Sequence, residues 1–304
     1  LGKIKKIEIT TSTKKKKKMN KLLIFLGFFL GITLSVDGQI NTPNIVLNHF
    51  LVIVDSTTYE AILKSKILNS NFAYAHEKKL NGYKGIYIIG QDNYLEIFSP
   101  KSIQNEIHQP GESWICHTSM KVNYLESLNI ANRKSLIFSS NEEFDELSLY
   151  FKDTTNLFTT WEMNKNHYEN WSKKTFNDSV TFLSIDYNSP AESDSARNYL
   201  FKNIEGIEIS VNKSDSLEII DYLTLIGYSK SNCKENKLRY ANSTDFIEIV
   251  FHKENELARI TSIYLKLKRK TKSESIRIGN SELFIKGDQA RWELEKIKKS
   301  KPVG

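Results

Sequence analysis

Two histidine–glutamate pairs stand at nearly the same separation in this 304-residue chain. His49, in "LNHFLVIVDS", is followed 47 positions later by Glu96, in "NYLEIF"; His117, in "WICHTSMKV", is followed 45 positions later by Glu162, in "TTWEM". Imidazole and carboxylate are the side chains that move protons near neutral pH and that hold first-row divalent metals. Each histidine also precedes a valine, Val54 or Val122, by five residues. Any one of the four would more often be an ordinary hydrogen-bonded strand residue. Their matched spacing makes them candidates, and it directs attention to an internal repeat of about fifty residues.

The elements that would position these residues recur in order. "IVLNHFLVIV" is rich in β-branched residues and predicts a strand. "DSTTYEAILKSKIL" predicts a helix capped by Asp55 or Ser56, with Tyr59, Ile62 and Leu63 on one face. "GYKGIYIIGQDNYLEIFSP" predicts two strands around a turn at 91–93, stopped by Pro100. The next segment repeats the order: "WICHTSMKV" as strand, "NYLESLNIANRK" as a helix capped by Asn123, then "SLIFS", an ambiguous "EEFDELSLYF", and "NLFTTWEM" as the final strand. A third unit begins at "GIEISVNKSDSLEIIDYLTLIGY" and continues through "LRYANSTDFIEIVF". There Glu248 takes the place of Glu96, while the histidine place, counted back from Val211, is Gly206. "ARITSIYLKLKR", "ESIRIGN" and "SELFIKG" close the chain as β-rich pieces of a shortened fourth unit.

Side-chain alternation predicts which residues share a face. Leu51 and Ile53 fall with His49, Ser119 and Lys121 with His117, Tyr94 and Phe98 with Glu96, and Thr160 and Asn164 with Glu162. The opposite faces are mainly apolar, as a helix-covered sheet requires. Tyr94, Ser119, Lys121 and Thr160 are therefore candidate substrate-binding residues.

"LNHFLVIVDS", "GIYIIGQDNYLEIFSP" and "GIEISVNKSDS" carry a resemblance to the vicinal oxygen chelate superfamily of glyoxalase I, fosfomycin and bleomycin resistance proteins and extradiol dioxygenases. The first two also resemble an uncharacterised glyoxalase-like family of bacterial proteins. The resemblance implies an α+β fold of tandem βαβββ units in two paired domains, 44–166 and a degenerate 204–296, joined by a connecting segment at 167–203 and followed by a charged tail at 297–304. It also implies a divalent metal, zinc, manganese, iron or nickel, on His49, Glu96, His117 and Glu162, with open positions for substrate oxygens. Such a metal would polarise a carbonyl or stabilise an alkoxide, and Glu96 or Glu162 could serve as general base. The activity implied is a lyase, isomerase or hydrolase acting on a small oxygenated molecule. A protein that only binds or sequesters such a molecule is the alternative, and a homodimer is allowed. One fold hosts many chemistries, so the resemblance does not choose among them.

Charge and leader bound the rest. The formal net charge is +7, and the first 39 residues carry all of it: nine lysines against Glu8 and Asp37. The remainder is neutral, which gives a nucleic-acid partner no support. "MNKLLIFLGFFLGITLSVDGQ", from Met19, has the anatomy of a secretory signal peptide with cleavage after Gly38, so export to the periplasm or beyond is expected, with no membrane anchor afterwards. Residues 1–18 look like an over-extended start. Cys116 and Cys233 are expected as buried thiols and not as a disulfide. No phosphate loop, nucleophile elbow, CxxC or HExxH is present.

Overall fold

The computed structural model describes residues 43–65, 71–80, 82–103, 108–121, 123–128, 130, 135–150, 156–172, 199–234, 236–252 and 258–294. The lysine-rich start, the expected leader at 19–38, most of the 167–203 segment and the tail at 297–304 lie outside these residues. So does the side chain of Cys233.

The chain is α+β, with two mixed sheets and few helices. Its first run of elements is β1 (Ile45–Ile53), α1 (Ser56–Lys64), β2 (Tyr74–Leu80), β3 (Tyr83–Ile89) and β4 (Tyr94–Phe98). A second run follows: β5 (Ser113–Ser119), β6 (Leu136–Ser140), β7 (Phe144–Tyr150) and β8 (Asn156–Met163), then α2 (Lys165–Ser172). These eight strands form one sheet in the order β2-β3-β4-β1-β5-β8-β7-β6. β1 runs parallel to β4, β5 runs parallel to β8, and β1 and β5 meet antiparallel at the centre. The third run is β9 (Phe201–Val211), α3 (Ser216–Leu225), β10 (Ser229–Lys234), β11 (Lys237–Ala241) and β12 (Phe246–Phe251), closed by a hairpin of β13 (Arg259–Ile278) and β14 (Ser281–Glu293). It makes a six-stranded sheet, β10-β11-β12-β9-β13-β14, in which β9 is parallel to β12 as β1 is to β4. The expected shortened fourth unit is this single long hairpin.

Local chemistry explains the elements that matter for the site. Asp55 caps α1, its Oδ1 accepting the N–H groups of Thr57 and Thr58 at 2.9 and 3.1 Å, a contact worth about 1 kcal/mol. The helix expected at "NYLESLNIANRK" is not formed among the described residues, where only a short 3-10 turn, Leu125–Ser127, follows Asn123. Asn123 itself sits at φ 55 and does not cap it. β2, "YAHEKKL", has no counterpart in the sequence reading, because its charges hide a strand that pairs with β3 along its whole length.

Both sheets fall within one compact unit and share one apolar core. Phe50, Val52, Leu95, Ile97, Ile115 and Phe158 contribute from the first sheet, Ile207, Ile209, Ile247 and Ile249 from the second. Helices α1 and α3 add Tyr59, Ile62, Ile219, Tyr222 and Leu223. α3 also covers the inner face of the second run, where no α-helix lies between β5 and β6 among the described residues: its Tyr222 packs on Phe158, ring centroids 5.2 Å apart. The β13–β14 tip returns to α1, where the Asn280 N–H donates to Thr58 Oγ1 at 3.0 Å. Gly279 makes that contact possible, since its φ is +62 and a Cβ there would lie 2.5 Å from the Thr58 Cα.

Candidate functional site

The first sheet has an inner face, packed on the core, and an open face. Strand pairing assigns each candidate to one or the other, because cross-strand partners share a face. His49 pairs with Tyr94 and with Cys116, and Leu51 pairs with Glu96 and Trp114, so His49, Tyr94 and Glu96 are brought together on the open face. His117 pairs with Leu47 and Thr160, on the inner face. A β-bulge at Asn48 causes the split: Leu47 faces inward and His49, two residues on, faces outward.

On the open face, the His49 ring lies against Tyr94, with centroids 4.7 Å apart and planes within 8°. It also meets Trp161 at 5.5 Å. His49 Nδ1 is 2.6 Å from the Asn48 Oδ1, which accepts its proton and leaves Nε2 as an acceptor. That Nε2 is 4.0 Å from Glu96 Oε1. Burial pushes the His49 imidazole down to about 3 and the Glu96 carboxyl up to about 7. The hydroxyls of Tyr87 and Tyr94, and the more distant charge of Lys78, pull Glu96 back only in part. The pair is thus a neutral imidazole beside a half-ionised carboxyl, ringed by phenols. Around it runs a row of rings across the strands: His76 to Tyr87 at 5.6 Å, Tyr87 to Tyr94 at 6.1 Å, then His49, Trp161 and, 5.6 Å beyond, Phe144. Cys116, a free buried thiol, lies under the row and is pushed up by burial and by the charges of Glu96 and Glu146.

The other candidates are engaged in the fold. His117 is fully buried among Phe158, Tyr222 and Tyr228, at 6.1, 6.0 and 5.5 Å. Burial, with a small contribution from His49, pushes its imidazole down to about 3. Its Nε2 is buried with no hydrogen-bond partner. Thr160 Oγ1 lies 2.6 Å from the Tyr222 hydroxyl. Ser119 Oγ donates to the Lys121 carbonyl at 2.9 Å and closes a local turn, and the Lys121 ammonium sits 5.8 Å over the Tyr124 ring. Glu162 accepts the N–H groups of Tyr124 and Leu125 at 2.8 and 2.9 Å, which makes it the cap of the 3-10 turn. Burial still pushes its carboxyl above the usual range, against those bonds.

The expected metal set therefore does not assemble. His49 and Glu96 face one way, His117 and Glu162 the other, and among the described residues no group of three or more His, Cys, Asp or Glu side chains is placed to hold a metal ion. Ser119, Lys121 and Thr160 likewise do not line the open face. Tyr87, Trp161, Asn48 and Cys116 do, and the sequence reading missed them. Trp161 carried a signal in its alternation against Glu162, while the bulge at Asn48 carried none.

The second sheet presents the corresponding face. Gly206 pairs with Phe246 as His49 does with Tyr94, and Arg239 with Glu248 as Tyr87 does with Glu96. The Phe246 ring occupies the room above Gly206, where a Cβ would come within 2.5 Å of it. Lys237 Nζ donates to Glu208 at 2.6 Å and Glu248 at 2.8 Å, Arg239 donates to Glu248 through Nε and Nη2 at 3.0 and 2.7 Å, and the Tyr264 hydroxyl adds a bond of 2.7 Å. Burial opposes ionisation of Glu248, but Lys237, Tyr264 and Arg239 outweigh it and hold the carboxyl below its usual range.

Fold and site together define a two-sheet α+β protein with one polar-aromatic face and one ion-paired face. The chain belongs to a family of unknown function, DUF5829, whose pattern matches residues 47–294. No curated protein matches it. Among solved structures it is similar to a hypothetical protein from Staphylococcus aureus, at 11% identity and a TM-score of 0.48, over 80% of this chain and 99% of that one. It is also similar to BphC, a halotolerant catechol dioxygenase, at 7% identity and a TM-score of 0.44, over 80% of this chain and 87% of that one.

Proposed function

We propose that this protein binds a small molecule on the open face of its first sheet, on a glyoxalase-like scaffold that works outside the cytoplasm once the 19–38 leader is removed. One observation carries the reading: His49, Tyr94 and Glu96 meet there with Tyr87 and Trp161, while His117, Glu162, Ser119 and Thr160 are used by the fold. Ring edges, phenols and one buried carboxyl make a face that orients a polar organic molecule. The four residues expected to hold a metal stand on two faces among the described residues, so this reading takes no metal-dependent step from them.

The test is a thermal-shift screen of monocyclic phenols, sugars and amines against the chain from Gln39 onward, beside Tyr94→Ala and Trp161→Ala. Compounds should stabilise the parent and not the variants. Parent and variants responding alike would refute the site.

A second reading is proton-transfer catalysis on the bound molecule, favoured by a Glu96 carboxyl at about 7 facing a neutral His49 Nε2. Turnover of a bound compound that is lost in Glu96→Gln and kept in His117→Leu would establish it.

A further inference from the structure

We propose that the ligand of the Glu96 face is an organic cation, a protonated amine that supplies there the charge which Lys237 and Arg239 supply to Glu248. The proposal rests on reading the open face as a ligand site.

The chain contains its own comparison. Glu96 and Glu248 hold the same place in two parallel strand pairs, β1–β4 and β9–β12. Beside Glu248 the chain provides an ammonium at 2.8 Å and a guanidinium at 2.7 Å, the latter 3.9 Å over the Phe246 ring. At the corresponding places beside Glu96 stand Gly85 and Tyr87. Among the described residues, Glu96 has no lysine or arginine at ion-pair distance: His49 stands 4.0 Å away, and the charge of Lys78 reaches it only from farther off. Nor could the chain grow a cation at position 85, because a Cβ there would lie 2.7 Å from the Phe98 ring. Among the described residues, then, only Lys78 brings positive charge toward Glu96, from over the Tyr87 ring, and no cation of the chain is paired with the carboxyl as Lys237 and Arg239 are with Glu248.

The surroundings suit a cation. Glu146 pairs with Trp161 on the same face and adds a second carboxylate near Cys116. The aromatic row already attracts one positive group, as Lys78 Nζ stands 5.4 Å over the Tyr87 ring. A carboxyl set among aromatic rings in a partly desolvated place is the chemistry that recognises ammonium groups, through a charge-assisted hydrogen bond and cation–π attraction.

The experiment uses three compounds of one shape and three charges: benzylamine, benzyl alcohol and benzoate. Each is titrated by calorimetry, at a mildly alkaline pH where benzylamine is still protonated, into the parent, Glu96→Gln, Tyr87→Arg and Trp161→Ala. Tyr87→Arg builds the guanidinium of Arg239 beside Glu96, so the chain would occupy the place itself. The expected result is benzylamine bound about tenfold or more tighter than benzyl alcohol, with that preference abolished in both Glu96→Gln and Tyr87→Arg. Benzyl alcohol or benzoate bound as tightly as benzylamine, and lost in Trp161→Ala, would overturn the cation while leaving the site. No binding of any of the three to the parent would overturn both.

Discussion

The Tyr222 hydroxyl on α3 lies 2.6 Å from the Thr160 hydroxyl on β8 and 3.4 Å from His117 Nδ1 on β5. One side chain of the third run thus supplies buried polar partners to the second. Tyr222→Phe keeps the ring and removes those partners. It should cost about 1–3 kcal/mol, the penalty of buried groups left unpaired, read as a fall in urea-unfolding stability. A variant as stable as the parent would show that the hydroxyl joins nothing.

His117 is buried, neutral and left with an unpartnered Nε2. His117→Leu replaces it with an apolar group of similar size, so stability should change by less than about 1.5 kcal/mol. Ligand binding at the open face should be unaffected. If His117 were a metal ligand or touched the ligand, this substitution would abolish binding instead.

Glu96 and the two histidines give opposite pH limbs. Burial raises the Glu96 carboxyl from 4.5 to about 7, so its contribution to stability is complete below 4.5 and is lost as pH rises through 7. His49 and His117 are lowered from 6.5 to about 3, so theirs is complete above 6.5 and is lost as pH falls through 3. His49, Tyr87 and Tyr94 face Glu96 from β1, β3 and β4, with Lys78 on β2 and Cys116 on β5. Relative to Glu96→Gln, the parent should lose on the order of 3 kcal/mol as pH rises through that window. Urea midpoints measured across it decide the matter, and a flat difference would mean that Glu96 is ionised throughout.

On the second sheet, Lys237→Met leaves Glu208 and Glu248 facing each other without their shared ammonium. The expected cost is about 3 kcal/mol, near the lower end for breaking a buried pair because Lys237 is partly exposed. Adding Glu208→Gln should return part of it, read in the same unfolding assay.

The sequence made β1, α1 and β4 legible, because β-branched runs, the Asp55 cap and the Pro100 stop act locally. It also put Gly206 at the place that His49 holds in the first run, and the Gly206–Phe246 pairing matches His49–Tyr94. The face of His117 was not legible. On β5 the residues Ile115 to Ser119 are all buried, so the strand has no polar side to read, and its orientation is set by pairing with Phe50 and Phe158 on its neighbours. The bulge at Asn48 adds one residue without any compositional mark. Matched spacing therefore put two histidines on one surface that the backbone turns to two.

The loan of α3 to the second run has a consequence for how such a chain can change over generations. Repeated units that each carry their own cover can be duplicated, dropped or exchanged as cassettes. Here the second unit has no helical cover of its own among the described residues, and the β13–β14 tip is tied back to α1. The three runs of strands are thus held as parts of one body, and removing one would uncover another.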